Sequence, residues 1–436
     1  MRILVVRTSA LGDTVLATPV LRALHERHPE AEVHFVTQPP WADLVEGLPF
    51  VAKVWRWRMG GGSRTLRSIP AFSAELRRSG PFDLAVDLQN SPMTRLLVAS
   101  VRPRRTIRFV KRKTVGAVVA SIFGEGPVLD GLPAAALYLE ALEPLGFPTH
   151  AAAERSGGLV PARSAAATPP SANGDLCLAG RSAAAVSLRA PVAGGDPRAA
   201  ETSLPLRDPV TGWDLRPAVR IPDEARAKAE ALLAPAGGSR IVALAPGGRW
   251  ATKRWPAERF AQVGDALAAE GAKIVLCGGP GDVAELRTVA ASMETTAIAD
   301  TLSLDVAGLC AVIERADLLV GCDSAPNHLA QAVGTPVVTV FGPTSSRRWG
   351  PLPGAGAAVS LPIGCAPCSN FGKRPCPLGH HACMLDLGPE AVIAAALAAL
   401  REGRMGGGAA AGDEFLRERM ALAMQVARSR REVSRR

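Results

Sequence analysis

Along most of the chain, short apolar runs of strand length alternate with longer segments whose apolar residues recur at helical spacing. RILVVR opens the chain as a strand. Val15, Leu16, Val20, Leu21 and Leu24 then follow a helical period, with Pro19 placed to bend the helix. EVHFVT, KVWRW and FDLAVDLQ read as further strands, and LPAAALYLEALEPLG as a helix. Strands separated by helices imply a parallel sheet covered on both faces.

The texture changes near His150. From there to Asp214 the chain is rich in Ala, Pro, Gly, Ser and Arg, and segments such as SAAATPPSANGD lack the large apolar residues a core needs. Alternation resumes with the helix DEARAKAEALLA. The strand RIVALAP, helix PAERFAQVGDALAAEG, strand AKIVLCGG and helix DVAELRTVAAS follow. Next come helix LDVAGLCAVIERA, strand DLLVGC, helix APNHLAQAVG and strand PVVTVFGP. The expected organisation is therefore an α/β unit over 1–149, a disordered insert over 150–214, and a second α/β unit over 215–403. A flexible link and basic amphipathic tail fill 404–436. Two doubly wound parallel-sheet units with a cleft between them place ligands beyond the carboxyl ends of the strands, so the loops there are where chemistry is sought.

Composition narrows the partners. The 436 residues exceed one ordinary core. A net charge of +10 favours anionic partners, whereas 4% aromatic residues poorly supply the stacking platforms of single-strand binders, so nucleic acid is disfavoured. Neither a signal peptide nor a bilayer-length apolar run is recognisable, and a cytoplasmic protein with reduced or metal-bound cysteines is expected.

The loop after the first strand, TSALGDT, lacks the GxGxxG of oxidoreductase dinucleotide sites. Asp13 there has two readings. It is an N-cap, or it is a carboxylate at the cleft able to take a proton from a hydroxyl. In GGRWATKRWP, Gly247 and Gly248 permit close backbone approach to a ligand, and Lys253 and Arg254 add positive charge before a helix start. The combination suits a phosphate; the plain alternative is a tight turn with solvated cations. Asp282 and Glu285 in GGPGDVAEL are a helix cap or ribose ligands. In GCDSAPNHLAQ, the strand delivers Asp323, Ser324 and Ala325 to a helix start whose amides suit a diphosphate, with Asp323 turned toward sugar hydroxyls or capping. His328 is a core histidine or a site residue. Cys365, Cys368, Cys376 and Cys383 form a weak zinc-like layout; free thiols are the alternative, and no metal is expected. Arg104, Arg105, Arg108 and Lys111 belong to the run RPRRTIRFVKRK, a solvated face or a contact for an anionic acceptor or lipid headgroups.

Taken together, RTSALGDTVLATPVLRAL, DLAVDLQNSPMTRLL, APGGRWATKRWPAERFAQV, GCDSAPNHLAQAVGTPVVTVFGPT and CAPCSNFGKRPCPLGHHAC resemble glycosyltransferase family 9, the bacterial heptosyltransferases of lipopolysaccharide core synthesis, with the cysteine-rich segment nearest the heptosyltransferase II branch. The resemblance implies a GT-B fold and inverting, metal-independent transfer without a cofactor from ADP-heptose to a lipid-linked inner-core sugar. The acceptor is a lipopolysaccharide precursor, met at the inner face of the cytoplasmic membrane by a peripheral enzyme. It further implies Asp13 as base, Gly12 and Thr14 beside the acceptor, and Lys253 on the donor phosphates. Asp323, Ser324 and Ala325 would hold donor sugar and diphosphate, and the ribose-binding acid falls near Asp282 or Glu285. The long insert departs from the family pattern. A non-hydrolysing sugar-nucleotide epimerase shares the two-unit plan, and a basic polyanion- or membrane-surface-binding protein is the non-enzymatic alternative.

Overall fold

The computed structural model describes residues 1–109, 132–149, 208 and 211–403. Among them, the first unit is a five-stranded parallel sheet in the order β3-β2-β1-β4-β5. Its strands are β1 (Arg2–Val6), β2 (Glu32–Thr37), β3 (Lys53–Arg56), β4 (Leu84–Asp87) and β5 (Arg105–Arg108). Alternation along β1 explains how both faces are covered. Ile3 and Val5 join one apolar cluster with α2 (Thr18–Arg27) and α6 (Ala134–Leu139). Leu4 and Val6 join another with α4 (Gly62–Arg78) and α5 (Pro92–Val101). The remaining helices here are α1 (Leu11–Leu16) and the one-turn α3 (Pro39–Ala42).

The second unit is a six-stranded parallel sheet in the order β11-β10-β9-β6-β7-β8. Its strands are β6 (Ile241–Ala245), β7 (Lys273–Leu276), β8 (Ala299–Asp300), β9 (Leu318–Cys322), β10 (Val337–Phe341) and β11 (Gly356–Ser360). One face is covered by α8 (Ala257–Ala269) and α14 (Pro389–Glu402). The other lies under α7 (Asp223–Leu233), α10 (Val306–Arg315) and α11 (Ala325–Val333). The helix α9 (Val283–Ser292) and the short turns α12 (Ser346–Trp349) and α13 (Ala382–Leu385) complete it. The two units share apolar packing: Val15 and Leu44 are buried with α7, α10 and α11, and Leu352 and Ala355 with the first unit's core.

Four sequence expectations change here. The bend expected at Pro19 is a break, because α1 ends at Leu16 and α2 begins at Thr18 with the proline in its first turn, where its missing amide leaves no bond unmade. The charged run at 102–109 is not only a solvated face. Arg105–Arg108 pair in register with Leu84–Asp87, and Ile107 is the one residue of that edge strand that enters the core. The expected helix over 132–146 is α-helical only to Leu139, and a 3₁₀ segment continues to Leu145 around Pro144. Finally, the insert's end is ordered. Trp213 packs at a tilt on Phe147 with ring centroids 5.4 Å apart, Asp214 pairs with Arg22 at 2.9 Å, and Leu215, just after it, is buried in the first unit's core. Most of the insert, the 404–436 tail and Lys111 lie outside the described residues.

At the free edge of the second sheet, Gly356 has φ of 146°, and a Cβ there would collide with the Val337 carbonyl. Only glycine fits. Gly356→Val is expected to cost about 1–3 kcal/mol. It should lower the melting temperature and speed amide exchange across 356–360, while exchange in β6 and β9 stays slow.

Candidate functional site

The two loops singled out on opposite units meet directly. Gly12, in the first turn of α1, lies under the imidazole of His328 on α11. A Cβ at position 12 would stand 2.7 Å from His328 Cδ2 and 3.6 Å from Ala325 Cα. The amino end of α1 therefore packs against the amino end of α11, and only a residue without a side chain allows that approach.

Asp13 follows at once. It is the third residue of α1, not its N-cap; Ala10 holds that position, and the Ala10 amide donates back to Asp13 Oδ2 at 3.1 Å. Asp13 Oδ1 takes an ion pair from Arg7 at 2.7 Å and a hydrogen bond from the Tyr138 hydroxyl at 2.5 Å. Its side chain keeps 18% of its exposure, against 7% for Arg7. Burial alone would raise the carboxyl's pKa. The Arg7 charge, with the bonds from Tyr138 and the Ala10 amide, outweighs it and holds Asp13 below the usual carboxylate range. It is an anion throughout neutral pH.

Arg7 stands just beyond the end of β1, and its Nη1 donates to the Leu88 carbonyl at 2.8 Å. Gln89, next in the chain, accepts from the Thr8 and Ser9 amides at 3.3 and 3.2 Å. The ends of β1 and β4 thus brace one loop. Thr14 has no place at its surface: it is fully buried, its hydroxyl 3.5 Å from that of Thr37.

On the second unit, Lys253 Nζ lies 2.8 Å from Asp323 Oδ2, which also accepts from the Thr344 hydroxyl at 2.6 Å. The Lys253 and Asp323 side chains are 13% and 4% exposed. Asp323, expected on sugar hydroxyls or as a cap, does not cap α11, and its carboxylate pairs with the lysine. One bond to Asp323 leaves two ammonium donors for an anion. Ser324 precedes α11 without capping it, and its hydroxyl donates to the Cys322 carbonyl at 3.3 Å. No side chain occupies the amides of that helix start, and Ala325 is its first residue. His328 is buried, Nδ1 is without a protein partner, and burial pushes its pKa down, so the ring is neutral.

The other candidates divide. Gly247 faces the Asp282 carboxylate so closely that a Cβ would overlap it, while Gly248 lies near Ser324. Asp282 caps its own turn, accepting from the Gly279 amide at 3.0 Å. Glu285 is paired with Arg254, whose Nε donates to the Gly248 carbonyl at 2.8 Å. Both acids border the Gly247–Gly248 loop. Arg104 pairs at the surface with Asp83, Arg105 donates to the Pro144 carbonyl and Arg108 is exposed. Cys365 Sγ is 3.9 Å from His380 Nε2, but among the described residues no three His, Cys, Asp or Glu side chains group closely enough to hold a metal ion. Arg7, Tyr138, Gln89 and Thr344 were not foreseen. Arg7 carried the only signal, a charge closing an apolar strand.

Residues 186–379 match the model of glycosyltransferase family 9 (heptosyltransferase), a stretch that holds Lys253, Asp323 and the start of α11. The matched stretch is less than half of the chain, and over it the chain is similar to that family. Over 119 residues, 26% of this chain, it is 38% identical to lipopolysaccharide heptosyltransferase 3 of Escherichia coli, and spans 34% of that relative's length. The structure of a glycosyl transferase family 9 protein from Veillonella parvula superposes with a TM-score of 0.65 at 21% identity, covering 92% of this chain and 97% of that one. ADP-heptose lps heptosyltransferase II of E. coli gives 0.60 at 17% identity, covering 92% and 99%. The fold is GT-B, as the family resemblance implied.

The buried pair sets a testable cost. Lys253→Met leaves the Asp323 carboxylate buried beside Thr344 alone and is expected to destabilise the chain by about 3–5 kcal/mol. Lys253→Met with Asp323→Leu should recover part of it. Thermal melting of the three proteins checks this.

Proposed function

We propose that the chain transfers heptose from ADP-heptose to a lipid-linked inner-core sugar of a lipopolysaccharide precursor, with inversion at the anomeric carbon. The observation that carries the reading is the contact of α1 with α11. It sets an ionised carboxylate beside uncapped helix amides and a lysine, the charges that an acceptor hydroxyl and a departing diphosphate require. The family match and the names of the relatives supply the sugar and the nucleotide.

The acceptor hydroxyl attacks the anomeric carbon on the face opposite the diphosphate. As the new C–O bond forms and the bond to ADP breaks, Asp13 takes the hydroxyl proton. Oδ1 already serves Arg7 and Tyr138, so Oδ2, with a single amide donor, receives it. Negative charge grows on the leaving phosphate. Lys253 and the amides at the start of α11 stabilise it where it develops. Gly247 and Gly248 admit the nucleotide to the backbone, with Asp282, Glu285 and Arg254 along that wall, and His328 stands neutral between the half-sites. Arg104, Arg105, Arg108 and Lys111 are assigned to the anionic acceptor.

The domain division belongs to this proposal: the acceptor unit before the insert, the donor unit after it. The enzyme acts peripherally at the inner membrane face. Among the described residues no helix is long and apolar enough to cross a membrane.

Incubation with ADP-heptose and a panel of truncated core lipids should release ADP only when an acceptor is present, with one heptose added by mass spectrometry. Asp13→Asn is expected to slow transfer by roughly 10²–10⁴-fold while ADP-heptose affinity changes little. Donor turnover without acceptor would instead favour the epimerase.

A further inference from the structure

Tyr138 is the only tyrosine in the chain, and its hydroxyl reaches the Asp13 carboxylate. It comes from α6, more than a hundred residues from Asp13. Its ring is fixed on two sides. Phe109 packs edge-on with centroids 5.2 Å apart, and the Arg7 guanidinium lies 4.9 Å from the ring centre. Arg7 therefore holds both the carboxylate, through charge, and the phenol, through its face. The hydroxyl donates onto Asp13 Oδ1.

We propose that Tyr138 is a positioning residue for transfer: its hydroxyl, with Arg7, occupies Asp13 Oδ1 and so presents Oδ2 to the acceptor hydroxyl. This rests on the reading of Asp13 as the base. A carboxylate free to rotate would offer either oxygen, and a misplaced proton acceptor costs rate even when fully ionised. With Oδ1 engaged twice and the Ala10 amide on Oδ2, the group has one orientation.

The charges around it are accounted for. Arg7 reaches it from the end of β1 and His328 faces it from α11. Asp87, at the end of β4, acts on Arg7, and Arg348, on α12, acts on the phenol. Burial, followed by the Asp13 charge, pushes the phenol's pKa well above its ordinary value, so it stays a donor wherever Asp13 is an anion. Asp13 sits below the usual carboxylate range, and Tyr138 is one of the groups holding it there. Removing the hydroxyl raises the carboxyl's pKa, so the acidic limb of the rate profile moves to higher pH.

Tyr138→Phe keeps the ring that Phe109 and Arg7 pack against. In the ADP-release assay it is expected to lower kcat roughly tenfold at neutral pH with KM nearly unchanged. The acidic limb should rise by about one pH unit. A second readout needs no turnover. Tyrosine labelled with ¹³C at Cζ gives a single resonance, since Tyr138 has no companion. That resonance should shift between the wild-type protein and Asp13→Asn. If Asp13→Asn is inactive while Tyr138→Phe matches wild type in kcat and acidic limb, the positioning role is overturned and the base assignment stands. An unmoved resonance overturns the contact itself. If Asp13→Asn transfers at full rate, the base assignment falls and the positioning role with it.

Discussion

Everything at the junction of the two units depends on the ion pair between Arg7 and Asp13. A mostly buried carboxylate is costly unless a charge and hydrogen bonds meet it. Arg7 provides the charge, and it is itself anchored by the Leu88 carbonyl beyond β4. One pair thus ties together the end of the first strand, the first helix turn, the loop after β4 and, through Tyr138, a helix from much later in the chain. The parallel sheet makes this possible, because the carboxyl ends of β1 and β4 lie side by side in register.

The second unit repeats the device with the roles reversed. There a cation, Lys253, is the more exposed partner, and a buried acid, Asp323, braces it from the end of β9. Each half holds one more exposed charge braced by a more buried one, and the absence of a side chain at Gly12 lets the halves touch through His328. In the proposed mechanism neither half alone holds both the proton acceptor and the seat for the departing diphosphate. Their contact would supply both, and the packing of Val15 and Leu44 with the second unit's helices holds that contact together.

The central strands and long helices were legible because a buried parallel strand reads as an apolar run and a covering helix carries its stripe. Edge elements were not. β5 is half arginine and exposes all but Ile107 and part of Thr106, so its pattern resembled a solvated face. β8 has only two residues. The loops of the site were found by their place after strands, by glycine and by charge. Their partners were not, because Tyr138 and Thr344 act through contacts far apart in sequence. The same reason hid the Lys253–Asp323 pair: two charges seventy positions apart give no local sign that each neutralises the other. Trp213 and Asp214 looked like the end of a low-complexity stretch, yet an aromatic and an acid in such a stretch mark the point where the chain docks again.

The most direct test of the claim that the α1–α11 contact is a single site is a crystal structure with ADP-heptose bound. The account predicts the diphosphate on Lys253 and the amides at the start of α11, and the anomeric carbon facing Asp13 Oδ2 across a gap the size of one hydroxyl. A donor bound with its anomeric carbon turned away from Asp13, or lodged outside the Gly247–Gly248 loop, would contradict it.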